Sequence, residues 1–155
     1  MAITTAGASY PLESFGPNPP LSNAAGGYQI GTGNPGEPLM FVTPAPATAT
    51  ASATLTANQV LNGILLGSPG SSAASYQLPT VAVLEAGIPS AVNVGESFDF
   101  SVVNVDGSGS GVITLTTNTG WTLVGLMTVV ATAGTAQMFR ARKTTATTWT
   151  LYRIA

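Results

Sequence analysis

The sequence predicts an all-β protein: a jelly-roll-like β-sandwich with one short helix, preceded by a long extended, proline-rich N-terminal arm. Three observations lead there. Eight of the eleven prolines fall at or before Pro46, and none follows Pro89. After about residue 50, short runs rich in Val, Ile, Leu, Thr and aromatics alternate with Gly, Asn, Ser and Pro clusters, the pattern of strands joined by turns. Charged residues make up 6% of the 155-residue chain, against about 25% in an average globular chain, while hydrophobic residues reach 45%. The chain is therefore apolar enough to fold and unusually poor in surface charge. That combination points to a surface largely covered in the working state, by sister chains or a larger assembly.

Residues 1–50 form the arm. Pro17-Asn18-Pro19-Pro20, Asn34-Pro35-Gly36 and Thr43-Pro44-Ala45-Pro46 break any regular element. Large apolar residues nevertheless recur, among them Tyr10, Leu12, Phe15, Tyr28, Ile30 and Phe41. Spaced along an extended chain, they suit anchors for pockets on another surface; the alternative is a flexible tail. Fully extended, fifty residues span up to about 165 Å.

Residues 51–155 form the β-domain. A short strand is expected at 52–56 and a helical turn at 57–63. Strands follow at 64–66 and 73–78. Thr80 is suited to cap a short helix that Gly87 and Pro89 end. The clearest strand is 97–105, with Phe98, Phe100 and Val102 on one face at period two. The Asp106–Gly111 stretch is a loop in which Gly supplies positive φ, and 112–116 is expected as the return strand. Strands at 120–124 and 126–130 flank Gly125, and 135–142 with 148–154 make a last hairpin.

Inventory excludes most chemistry. The chain has no Cys and no His, so it holds no disulfide, no thiol nucleophile, no Ser-His-Asp triad and no ordinary zinc site. Glu96 and Asp99 are the nearest carboxylate pair, with nothing to make them converge. Gly31-Thr32-Gly33-Asn34-Pro35-Gly36 matches a dinucleotide-binding pattern in letters only, because Pro35 and Pro38 forbid the helix that pattern needs. One carboxylate in the 106–111 loop is too few for a calcium loop. No cofactor is expected, and no enzyme. Trp121 and Trp149 read as core or subunit-interface residues, with a carbohydrate platform as the other reading. Residues 1–7 lack the basic and apolar regions of a secretory signal, and no run approaches the roughly 20 apolar residues of a membrane helix. The net charge of −2 gives no sign of nucleic-acid binding. All four bases, Arg140, Arg142, Lys143 and Arg153, lie in the last sixteen positions. Either the last strands carry them on a solvated face, or this edge meets acidic groups on a partner or sister subunit.

From Thr54 to Ile154 the chain resembles a β-domain of tailed-phage structural proteins. The matching features are Thr54-Leu55-Thr56-Ala57, Gly63-Ile64-Leu65-Leu66-Gly67-Ser68-Pro69, Gln77-Leu78-Pro79-Thr80, Val94-Gly95-Glu96-Ser97-Phe98-Asp99-Phe100, Thr122-Leu123-Val124-Gly125 and Leu151-Tyr152-Arg153-Ile154. Such domains are similar to the trimeric jelly-roll modules of capsid decoration (cement) proteins and of fibre or spike tips. The resemblance implies a homotrimer on the outer capsid surface of the virion. There the arm would lie against the major capsid protein and neighbouring decoration subunits, stapling capsomers. Neither a membrane nor nucleic acid is an expected partner. A tail-fibre or spike tip, or a baseplate adaptor, binding a host receptor or glycan is the alternative, weakened by the absence of heptads and of any shaft repeat. A surface-layer or pilus subunit is a third reading.

Overall fold

A computed structural model describes residues 44–88, 93–106 and 108–155 in full, and the backbone of 22–24 and 27–29. The chain forms two compact units, Met1–Val42 and Thr43–Ala155. In the first, β1 (Ser22–Ala24) and β2 (Gly27–Gln29) pair antiparallel, with Asn23 opposite Tyr28. Three-residue strands are too short to show a period, which is why no pattern in the sequence marks them.

The described residues of the second unit form ten strands and two short helices. In chain order these are β3 (Ala47–Ala49), β4 (Ala53–Thr54), α1 (Ala57–Leu61), β5 (Ile64–Gly67), β6 (Ala74–Gln77), α2 (Val81–Ala86), β7 (Ser97–Asn104), β8 (Ile113–Thr116), β9 (Trp121–Val124), β10 (Thr128–Val129), β11 (Thr135–Lys143) and β12 (Trp149–Arg153). A six-stranded sheet has the order β3-β5-β7-β11-β12-β9, and a four-stranded sheet the order β10-β8-β6-β4. From β3 to β11 the chain changes sheet at every step. Alternate strands therefore become neighbours and run parallel: β3, β5 and β7 in one sheet, β4, β6 and β8 in the other. A parallel neighbour needs a crossover, and here the crossover is a strand of the opposite sheet.

The all-β, two-sheet character agrees with the expectation. The strand order is its own, with parallel neighbours where a jelly roll has antiparallel ones. Two other expectations need correcting. The described residues hold two short helices, both capped, rather than one. Nor is β8 the hairpin partner of β7; it joins the other sheet beside β6 and β10. Alternation reports which face of a strand is buried, and Ile113 and Leu115 are buried whichever sheet holds them. The last hairpin forms as expected, with Ala141 opposite Leu151.

The core lies between the sheets. Leu65, Phe100, Val102, Phe139, Ala141 and Leu151 come from the six-stranded sheet, and Ala74, Tyr76, Ile113, Leu115 and Val129 from the four-stranded one. Each large side chain so buried contributes roughly 1.5–3 kcal/mol. At Gly67 the sheets approach so closely that a Cβ would stand 2.3 Å from Ile113 Cδ1. Asn104 is fully buried and donates to the carbonyls of Gly111 (2.8 Å) and Val130 (3.0 Å), tying β7 to the chain on either side of β8 and β10. Both helices start on a threonine. Thr56 and Gln59 form a reciprocal capping box on α1, and the Thr80 hydroxyl accepts from the Val83 N–H on α2.

Candidate functional site: the outer face of the six-stranded sheet

Strand register fixes which side chains share the outward face. In β7 the residues Phe98, Phe100, Val102 and Asn104 point inward, so Ser97, Asp99, Ser101 and Val103 point outward. Directly opposite residues share a face, which allows the outward surface to be read row by row. Leu66, Val103 and Ala136 form one row. Ile64, Ser101 and Met138 form the next, and Ile154 sits beside Met138 by donating its N–H to the Met138 carbonyl. Asp99, Arg140, Tyr152 and Val124 make a mixed row. Ser97, Arg142, Thr150 and Thr122 make a polar one. The face thus grades from polar at one end to apolar at the other.

The apolar end is open. Ile64 and Met138 are each 43% exposed and Ile154 47%, and Val124, at the edge of the mixed row, is 46% exposed. With Leu126 just past β9, five of the nine large exposed hydrophobics among the described residues belong to this sheet or its edge, which marks the surface as more than scattered exposure. The sequence carried a signal for it: Ile64-Leu65-Leu66 is apolar on both faces, as a strand covered on both sides is.

The four bases are placed differently from one another. Arg140 grips Asp99 across β7 and β11 with two bonds of 2.7 and 2.8 Å, and the guanidinium holds the Asp99 carboxyl below its usual range. Lys143 points inward, only 8% of its side chain exposed, and pairs with Glu85 of α2. Glu85 also accepts from the Trp149 indole N–H at 2.8 Å, and these bonds, that from Lys143 first, hold its carboxyl low. Arg142 and Arg153 make no ion pair among the described residues; Arg153 donates to the Leu126 carbonyl. Ion pairs among the described residues therefore account for two of the four.

Trp121 and Trp149 are both in the core, 8% and 1% exposed, with ring centroids 6.2 Å apart. The Trp121 indole donates to the Pro79 carbonyl at 2.7 Å. Glu96 accepts from the Asn93 side chain and N–H, which lower its pKa. Asp106 accepts from Ser68 and from the Gly70 N–H, joining two loops, and Gly109 has the expected positive φ of 57°. A hollow of about 260 Å³ lies beside β7, lined by Leu61, Ile88, Phe98 and Trp149 with Glu96, Ser97 and Asp99 at its rim. Tyr28 falls in β2. Its side chain, with Tyr10, Leu12, Phe15, Ile30, Phe41 and the Gly31–Gly36 motif, lies outside the described residues.

Among the described residues, no group of three or more Asp or Glu gathers as a metal site, and no helix is long and apolar enough to cross a membrane. Comparison with protein families, curated proteins and solved structures finds no match to this chain.

Proposed function

We propose that the chain is a structural assembly protein of the capsid decoration (cement) type. It binds the outer surface of an assembled tailed-phage shell, staples neighbouring capsomers through its N-terminal arm, and self-associates through its β-sandwich. The sandwich takes the part of the jelly-roll module in such proteins, with a different strand order. The resemblance described above implies three copies.

The observation that carries this reading is the outward face of the six-stranded sheet: apolar over half its length, on a chain with so little charge that a free monomer is poorly protected against association. A ligand that binds only the assembled shell stabilises it by mass action, and several arms on one oligomer make each later contact intramolecular.

The test is co-sedimentation of full-length protein, and of protein lacking residues 1–42, with a panel of expanded tailed-phage shells. Pelleting that needs the arm is the expected result. Protein that ignores every shell but binds cells or glycans is a fibre tip or adaptor, and the decoration reading then fails.

A further inference from the structure

We infer that the outward face of the six-stranded sheet is the contact between copies of this chain, formed around a rotation axis that runs parallel to the strands. This rests on the reading that the protein works as an oligomer, and it names the surface and the symmetry.

Size comes first. The six strands hold 33 residues, which at ~3.3 Å rise and ~4.8 Å spacing give a face of about 500 Å². That is somewhat below one partner's share of about 800 Å² in a standard interface, and the exposed Ile154 and Leu126, just past β12 and β9, extend it.

Chemistry then selects a second copy. The rows are graded along the strands, from Ser97 and Arg142 at the polar end to Val103 and Ala136 at the apolar end. An axis parallel to the strands keeps every row at its own height, so apolar meets apolar and polar meets polar. An axis across the strands sets Met138 and Ile64 against the charged end, which costs desolvation without pairing. The same axis has a second consequence. In the sheet order the centre falls between β7 and β11, with Asp99 on one side and Arg140 on the other. Rotation brings the β7 side of one copy against the β11 side of the next, so Asp99 of one faces Arg140 of its neighbour at the same height. A partner of one strong charge sign gains little here, because Asp99 and Arg140 offset each other and leave Arg142 alone among the described residues at this end of the face. Two-fold and three-fold axes both satisfy these conditions; with a three-fold axis each copy divides its face between two neighbours.

The experiment uses the full chain at about 100 µM. Light scattering gives the mass of wild type, Met138→Glu and Ile64→Glu. Both positions are nearly half exposed, so a carboxylate there leaves the core intact, and a thermal melt confirms folding of each variant. The chain has no cysteine, so Met138→Cys takes a single spin label per copy. The expected outcome is an oligomeric wild type, a shift of at least tenfold toward monomer in the glutamate variants, and an interspin distance within about 20 Å, given sheet faces ~10 Å apart. A monomeric wild type, an oligomer that ignores both substitutions, or labels beyond that distance overturns the inference. Shell co-sedimentation run on the same samples separates the two readings: an oligomer that binds no shell leaves this interface standing, and a monomer that pellets with shells leaves decoration standing.

Discussion

Replacing Glu85 by Gln tests how β11, β12 and α2 are held together. The Lys143 ammonium is almost entirely enclosed, and Glu85 is its only ion-pair partner among the described residues. Removing one member of a buried pair leaves the other charge uncompensated, at a cost of about 3–5 kcal/mol in fully enclosed sites. Glu85 keeps 28% of its side chain exposed, so water recovers part of that loss. Gln also retains an acceptor for the Trp149 indole. The net cost is then about 2 kcal/mol, and for a domain of this size the melting temperature falls by about 8 °C. The pH dependence follows from the sign of the shift. The folded-state pKa of Glu85 lies below its unfolded value, so its contribution is fully present above the unfolded pKa, near 4.3, and is lost as pH falls through the folded value. Melts of wild type and Glu85→Gln, followed by circular dichroism from pH 7 to pH 2, therefore differ most at neutral pH and converge in acid. Curves that coincide at pH 7, or a gap that persists unchanged at pH 2, refute the reasoning.

Other substitutions probe the rest of the frame, each read by denaturant or thermal unfolding. Gly67→Ala drives a methyl into Ile113 of the facing sheet; a loss of about 1–3 kcal/mol is expected, and an unchanged midpoint contradicts the packing described. Asn104→Leu leaves the buried Gly111 carbonyl without its side-chain donor and removes one of the donors to the Val130 carbonyl, which keeps the Thr135 hydroxyl, and is expected to cost about 2 kcal/mol. Thr56→Ala removes the capping box of α1, at about 1 kcal/mol. Arg140→Ala breaks an exposed pair and is expected to move stability by less than about 1 kcal/mol, while weakening association between copies.

Local elements were readable where local chemistry decides them. Thr80 before an apolar run and Gly87 after it set the limits of α2, and the period of Phe98, Phe100 and Val102 set the buried face of β7. Pairing was not readable, because the same alternation serves either sheet; hence the expected β7–β8 hairpin that does not form. Strand β3, made of Ala47, Thr48 and Ala49, is too small to stand out from its small-residue surroundings. Of the basic edge, the sequence showed the cluster but not that Lys143 turns inward to Glu85, 58 positions earlier, since that contact depends on where α2 sits. The outward face was partly legible in β5, whose Ile64, Leu65 and Leu66 are apolar on both sides. Its gradation from polar to apolar needed the register.

The most direct test of the account is the solution mass of the full-length protein, measured by light scattering alongside its Met138→Glu variant. An oligomer of whole chain masses that the substitution dissolves into folded monomers is the expected result. A wild type that stays monomeric at about 100 µM, with its apolar sheet face open to water, contradicts the central claim.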